Sequence, residues 1–155
     1  MTRDGGERYP GRVERLELTR IRVCDRCGRG SAELRAPSGA TVVVTLDPVR
    51  GRQLRDRKPD DGRTLTDVVL EAIQASGASV SEVVLDVSAE RLGGLVSLVR
   101  DGDSNVVACT AEEAVALAVR GGIRIYATAE ALAHASARRA KAAPQGGAGG
   151  PETMH

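Results

Sequence analysis

The chain has 155 residues with 41% hydrophobic and 28% charged side chains, enough to bury the core of one soluble domain. Its formal net charge is +1, and it has neither an apolar run long enough to span a bilayer nor an apolar signal peptide, so no membrane partner is expected. Phe and Trp are absent, which predicts an aliphatic core and removes the aromatic platforms on which nucleic-acid bases stack.

The charges are unevenly distributed along the chain. Residues 1–58 hold 14 of the 22 Lys and Arg side chains but 8 of the 21 Asp and Glu side chains. Two interpretations stay open: an Arg-rich composition with solvated charges, or a basic surface that contacts the phosphate backbone of nucleic acid. Three cysteines, an odd number, argue against a disulfide framework and favour a reducing, cytoplasmic location.

The first part of the chain predicts three strands and then a loop. Residues 1–12 lack periodicity and are expected to form a flexible arm. Alternation predicts a strand over residues 12–23 in which neither face is fully apolar, and residues 31–36 and 40–46 predict a hairpin. The polar segment 50–63 is dense in charge and predicts a mobile loop.

The second part predicts three helices and four strands. In chain order these are a helix that Thr66 caps and Gly77 ends, strands at 80–87, 92–100 and 105–109, a helix between Thr110 and Gly121, a strand at 123–128 and a helix capped by Thr128. The helix after Thr110 has a capping box with Glu113 and is apolar on all sides, which predicts burial between layers.

These elements predict a single α+β domain over residues 13–137, followed by a disordered tail over residues 138–155. The domain is expected to have a mixed, mainly antiparallel sheet packed with about three helices, because hairpin turns outnumber crossover connections. An all-apolar helix must be buried against other apolar surface. In this interpretation a second copy of the chain supplies part of that surface, because the core has no Phe or Trp to fill it. We therefore also expect a homo-oligomer.

Cys24 and Cys27 lie in the turn CDRCG with the spacing of metal ligands. Free thiols in a turn, a zinc site and a redox pair are the three interpretations. Structural zinc has four ligands, so Cys109, His134 or a second subunit would have to complete the site.

Four segments follow one another over about residues 63–132: RTLTDVVLEAI, SEVVLDV, CTAEEAVALAVR and IRIYATAEAL. In order and spacing they resemble the bifunctional nuclease (BFN) family. The earlier segment TVVVTLDPVRGRQL is similar to the family's preceding strand and its GR-x-L turn. The resemblance implies a BFN-like α+β fold and cleavage of phosphodiester bonds in DNA and RNA.

The polar positions of the family's motifs differ in this chain. The family's His-Asp after Leu-Thr is Asp67-Val68 here, the Asp and Arg before its second helix are Ala108 and Thr110, and its Ser-Asp is Glu112-Glu113. The family's apolar strand and Ala/Glu-rich helix after GR-x-L are replaced by the polar segment 50–63. The apolar framework is kept while most of the motif charges change.

Two functions follow from this resemblance. The first is a nuclease in which magnesium or manganese activates water. Its catalytic acids would be Asp67, Glu112 and Glu113, and its nucleic-acid-binding cations Arg63 and Arg120. The second is a catalytically degenerate member that serves as a binding or oligomeric assembly module. The carboxylates also fit a purely structural role, because they lie in the first turns of helices.

Overall fold

A computed structural model describes residues 11–56 and 63–143 of the chain. Within these residues the chain forms seven strands and four helices. In chain order they are β1 (Val13–Cys24), β2 (Arg29–Arg35), β3 (Thr41–Leu46), α1 (Pro48–Asp56), α2 (Leu65–Ala75), β4 (Ser79–Ser88), β5 (Arg91–Arg100), β6 (Asp103–Thr110), α3 (Ala111–Gly121), β7 (Ile125–Thr128) and α4 (Ala129–Ala142). The predicted arm over residues 1–12 lies almost entirely outside the described residues.

The strands form one sheet in the order β3-β2-β1-β7-β4-β5-β6. β4 and β7 pair in parallel, and the other five neighbouring pairs are antiparallel. Short turns join β2 to β3, β4 to β5 and β5 to β6, and short turns permit only antiparallel pairing. The prediction of an α+β fold with a mixed, mainly antiparallel sheet is confirmed.

β1 contains a β-bulge that explains why neither face of this strand is apolar in the sequence. The register between β1 and β2 shifts between Leu18 and Arg20. One extra residue reverses the face on which the following side chains lie. Leu18 is therefore opposite the buried Leu34, and Ile21 is opposite the buried Ala32, on the same side of the sheet. From Leu16 to Val23 the apolar residues of β1 share one face, and the arginines of the strand occupy the other face together with Val13.

α3 lies on the sheet and is the most deeply buried helix of the described residues. It packs on β4 and β5 and is flanked by α1 and α2. Its buried residues are Ala111, Ala114, Val115, Ala116, Ala118 and Val119, as its apolar sequence predicted. Gly94 of β5 permits the close approach, because a Cβ at this position would collide with the Cβ of Ala114. The chain itself covers α3, so the predicted homo-oligomer no longer follows from this helix.

The sheet curves, so that its first strand also reaches α3. β3 and β4 are separated by three strands in the sheet, yet both contact α3. Leu46 of β3 and Leu85 of β4 belong to one hydrophobic cluster and are almost completely buried. The core is aliphatic, as the absence of Phe and Trp requires.

The segment that follows β3 is a helix where the sequence predicted a loop from residue 50. α1 begins at Pro48, a residue favoured in the first turn, and the Asp47 carboxylate accepts a hydrogen bond from the Val49 amide at 2.9 Å. Leu54 is 3% exposed, and Gly51 lets the helix approach β1 and β2 closely. The loop prediction for residues 50–56 was wrong because tertiary burial outweighs the polar composition, and residues 57–62 lie outside the described part.

α2 begins two residues earlier than predicted. Its N-cap is Thr64 rather than Thr66, and Thr64 forms a capping box with Asp67. The box needs a carboxylate three residues after the cap, and three residues after Thr66 the chain has Val69. Gly77, with a φ of 81°, follows the C-cap of α2, so the predicted end is confirmed.

The caps of the last two helices agree with the sequence prediction. Thr110 forms a capping box with Glu113 at the start of α3, and Thr128 caps α4. α4 continues to Ala142, past the predicted domain end at residue 137. None of the helices in the described ranges is long and apolar enough to cross a membrane.

Candidate functional site

Asp67 and Arg120, two of the residues predicted to act on nucleic acid, bind each other. The Arg120 Nε donates a hydrogen bond to Asp67 Oδ1 at 2.9 Å, and its Nη2 contacts Oδ2. The same carboxylate accepts hydrogen bonds from the Thr64 amide at 2.9 Å and from the Thr64 hydroxyl at 3.0 Å. Hydrogen bonds from Arg120, followed by those from Thr64, hold the pKa of Asp67 well below its usual range. The pair joins the start of α2 to the last turn of α3.

Glu113 completes the cap of α3. Its carboxylate accepts hydrogen bonds from the Thr110 amide at 3.1 Å and from the Thr110 hydroxyl at 3.0 Å. These bonds lower the pKa of Glu113, and the charge of Arg50 lowers it further. The carboxylate therefore performs a structural task at a helix N-terminus, where an anion is favourable.

Glu112 ties the start of α3 to the connection between β3 and α1. Its Oε1 accepts a hydrogen bond from the Asp47 amide at 2.8 Å and lies 3.7 Å from Arg50 Nη1. A depression of about 310 Å³ next to these groups is lined by Asp47, Val49, Arg50, Gln53 and Glu112. The Glu112 carboxylate thus stabilises the packing of α1 against α3.

The three predicted catalytic carboxylates do not lie in one cleft. Glu112 and Glu113 belong to the first turn of α3, while Asp67 is bound to Arg120 in its last turn. Glu112 and Arg120 are eight positions apart, which corresponds to about 12 Å along a helix. In the described parts of the chain, no group of three or more His, Cys, Asp or Glu side chains has an arrangement that could hold a metal ion.

Arg63, the other predicted nucleic-acid-binding residue, lies on the surface before α2. It forms an ion pair with Glu71, and the two side chains are 62% and 60% exposed. Arg63 and Arg120 therefore both have carboxylate partners, and they are held by different contacts.

Cys24 and Cys27 are joined by a disulfide in the turn between β1 and β2. Free thiols were one of the three interpretations of the sequence, and the structure differs from it because the turn, closed by Gly28 with a φ of 61°, brings the two sulfur atoms together. The oxidised pair has no thiolate for zinc, so the zinc hypothesis applies only to the reduced chain. The disulfide also weakens the cysteine argument for a reducing compartment, and the cytoplasmic location stays a prediction.

Cys109 is the free cysteine of the described residues and lies on β6. Burial, followed by the negative charge of Glu113, raises the pKa of its thiol. A raised pKa keeps the thiol protonated and poorly reactive near neutral pH.

A groove of about 440 Å³ runs between the C-terminal part of α4 and the polar face of β1, β2 and β3. The basic side chains that line it are Arg22 from β1 and His134, Arg138 and Arg139 from α4. The His134 Nε2 lies 3.2 Å from the Glu90 carbonyl oxygen, which positions the imidazole on the groove wall.

The sheet register explains why an arginine and hydroxyl groups meet in this groove. Arg22 is directly opposite Ser31, and Ser31 is directly opposite Thr45, so the three side chains share one face. Among the described residues that line the groove, Glu33 is the one carboxylate, and its Oε2 lies 3.8 Å from Arg22 Nη2. Three guanidinium groups against one carboxylate make the groove positively charged.

Arg138 and Arg139 are exposed at the end of α4. None of the ion pairs between described residues includes either side chain. Cations in the last turns of a helix are favoured by the helix dipole, which is the structural reason for their position. Sequence reasoning ran the last helix to about residue 140 but ended the domain at residue 137, and it did not assign these two arginines to nucleic acid. The missed signal is the basic run ARRAK, which continues the helix.

In the comparisons with known proteins, no family model matches the chain, and no curated protein matches it significantly. The resemblance to the BFN family, which depends on the motif order over residues 63–132, therefore stays a prediction.

Proposed function

We propose that this chain is a divergent relative of the BFN family that binds the phosphate backbone of nucleic acid and does not hydrolyse it. The observation that carries the proposal is the groove between α4 and the β1-β2-β3 face, in which Arg22, Arg138 and Arg139 converge. Its volume of about 440 Å³ lies within the range typical of ligand sites.

The chemistry of the groove favours phosphate as the ligand. Arginine offers a planar donor fork that matches phosphate oxygens, and hydroxyl groups such as those of Ser31 and Thr45 add further hydrogen-bond donors. The chain has no Phe or Trp on which bases would stack. Contacts to the backbone without base stacking position a nucleic acid but do not read its sequence. We therefore expect binding with little sequence preference and a strong dependence on salt.

The contacts of the carboxylates support the loss of hydrolysis. Asp67 is neutralised by Arg120, Glu113 caps α3, and Glu112 binds the Asp47 amide. Metal-dependent phosphodiester cleavage requires carboxylates that are available to one or two metal ions at one point in space. These carboxylates are held in separate structural contacts, two at the first turn of α3 and one beside its last turn, and they do not meet this requirement. Nuclease activity stays a prediction of the family resemblance alone.

Binding is tested by fluorescence anisotropy with a labelled DNA duplex and an RNA duplex of the same sequence over a series of salt concentrations. Replacing Arg138 and Arg139 together by Ala is expected to weaken binding to both duplexes. The slope of log affinity against log salt is negative, and its magnitude should decrease by about 2, one for each lost phosphate contact. Both side chains are exposed, so the thermal unfolding midpoint should not change measurably.

Arg63→Ala is the matched control, because Arg63 is an exposed arginine outside the groove that the family resemblance assigns to nucleic acid. The proposal predicts unchanged affinity for this variant. Affinity that is lost in Arg63→Ala and kept in the Arg138 and Arg139 double variant would contradict the groove as the binding site.

Hydrolysis is tested separately on DNA and RNA with magnesium or manganese. The wild-type chain and an Asp67→Asn, Glu112→Gln double variant are compared. We expect no cleavage by either protein above a buffer control. Cleavage by the wild type that disappears in the double variant would restore the nuclease hypothesis, whereas cleavage by both would indicate other residues or a contaminant.

A further inference from the structure

β6 forms one end of the sheet and is exposed along its length. The strand order ends at β6, so its outer side has no neighbouring strand among the described residues. Seven of its eight residues are exposed. Val106 and Val107, in the middle of the strand, are 47% and 49% exposed. Exposed valines on an unpaired edge favour association with another strand.

β6 also lacks the features that commonly prevent an edge strand from pairing. Those features are a proline, a β-bulge, or charged side chains in the middle of the strand. The sequence of β6, DSNVVACT, has one charged residue, Asp103, at its first position, and its register with β5 has no irregularity. The other edge strand, β3, differs because α4 packs against it.

The side chains of β6 fit a second, antiparallel copy of the same strand. Rotation about a two-fold axis perpendicular to the sheet leaves each side chain on its own face of the sheet. Directly opposite residues must lie on the same face, so the axis passes midway between the two copies of one residue and not between two successive residues. An axis at Val107 pairs Val107 with Val107, Val106 with Ala108, Asn105 with Cys109, and Ser104 with Thr110. Asp103 lies beyond the paired segment, so the two copies bring no like charges opposite each other.

We infer that two copies of this chain form a dimer by antiparallel pairing of their β6 edges, with the two-fold axis at Val107. The seven residues from Ser104 to Thr110 pair over a length of about 23 Å, and the two seven-stranded sheets become continuous. The groove proposed to bind phosphate involves β3, at the opposite end of the strand order. None of the described residues that line the groove belongs to β6, so the two proposals are tested with different residues.

The first test uses charge at the axis. Wild-type chain is expected to have twice its monomer mass of 16.2 kDa by light scattering at micromolar concentration. Val107→Lys and Val107→Glu should each be monomeric, because each places two like charges opposite each other. A mixture of the two variants should recover the dimer mass. Val49→Lys, at a valine on α1 that is 55% exposed, is the matched control and should remain dimeric.

The second test uses Cys109 as a probe of the register. Directly opposite residues on antiparallel strands have Cβ atoms about 4.5–5.5 Å apart, which permits a disulfide after small adjustments. Asn105→Cys should therefore give a covalent dimer under mild oxidation, and the additional change Cys109→Ser should abolish it. Asp103→Cys should not cross-link. The cysteine at this position would be opposite Cys109 of the other copy only if the axis lay at Val106, which is a different register from the proposed one.

Three results would overturn the inference. They are a monomeric wild-type chain, a dimer that survives in Val107→Lys, and a covalent dimer through Asp103→Cys instead of Asn105→Cys. If Val107→Lys does not fold by circular dichroism, the cross-linking result decides, since both cysteine substitutions are at exposed positions.

Discussion

Breaking the ion pair between Asp67 and Arg120 is expected to destabilise the fold, because the pair joins the first turn of α2 to the last turn of α3. Arg120 contacts both carboxylate oxygens, and the side chains of Arg120 and Asp67 are only 21% and 24% exposed. A charge-assisted pair that is partly shielded from water contributes about 1–2 kcal/mol, between the values for exposed and buried pairs. Asp67→Ala also removes the capping contacts with Thr64, which adds about 0.5–1 kcal/mol.

The measurement is a double-mutant cycle in urea near neutral pH. It compares Asp67→Ala, Arg120→Ala and the double variant with the wild type, and the expected coupling energy is about 1–2 kcal/mol. Asp67→Ala removes the capping contacts with Thr64 both in the wild type and in the Arg120→Ala background. This contribution cancels in the cycle, so the coupling energy reports the ion pair. The exposed pair of Arg63 and Glu71 is the matched control, for which we expect a coupling energy below about 0.5 kcal/mol.

A coupling energy below about 0.3 kcal/mol for Asp67 and Arg120, no larger than that of the control pair, would refute the structural role. It would also reopen the catalytic interpretation of Asp67. A decisive case for that interpretation would be an Asp67→Asn variant of normal stability that has lost nucleic-acid cleavage.

Three further predictions concern packing, pH and the thiols. Gly94→Ala should destabilise the fold by about 1–3 kcal/mol in urea unfolding, because the added Cβ collides with Ala114. Gly93→Ala, whose added Cβ has its closest contact at 3.6 Å, should cost clearly less, and equal effects would contradict this account of the contact between β5 and α3. The lowered pKa values of Asp67 and Glu113 mean that both groups stabilise the folded chain at neutral pH. That contribution should be constant above about pH 5 and decrease as the pH falls below about 4, where the unfolded chain takes up protons first. A free energy of unfolding that rises on acidification over this range would reverse the assigned sign. Finally, one of the three cysteines should react with a thiol reagent in the unfolded, unreduced chain and all three after reduction; three reactive thiols without reductant would exclude the disulfide.

The helix boundaries show which features local sequence patterns capture. Thr110 and Glu113 form the predicted capping box because both members lie within one turn, and their side chains need no distant partner. The start of α2 was misplaced because two threonines, Thr64 and Thr66, lie close together at its N-terminus. Only the position of Asp67, three residues after Thr64, distinguishes them, and the sequence prediction did not use it.

α1 illustrates a feature that composition conceals. Its sequence is polar and contains a glycine, and both properties favour a loop. The helix forms because Leu54 is buried and Gly51 fits closely against Val23 of β1. Burial against a sheet that the sequence does not display supplied the missing stabilisation.

The candidate site depends even more on distant contacts. The sequence identified Asp67, Glu112 and Glu113 as the carboxylates nearest the family-like motifs, but it did not contain their distances. Asp67 and Arg120 are 53 positions apart, and their contact exists only because α2 packs beside α3. Likewise, Arg22 of β1 meets residues of α4 in the groove only because α4 packs beside β3.

The amino-acid sequence by itself determined the α+β class, the aliphatic core, and the capped, buried α3, because alternation, composition and capping are properties of short segments. Tertiary structure alone decided the distant partners of charged side chains such as Asp67 and Glu112, the bulge that unites the apolar face of β1, and the exposed edge of β6. The physical reason is that these features depend on which distant segments pack together. Packing is set by the shape and burial of the whole chain and not by any one of its segments.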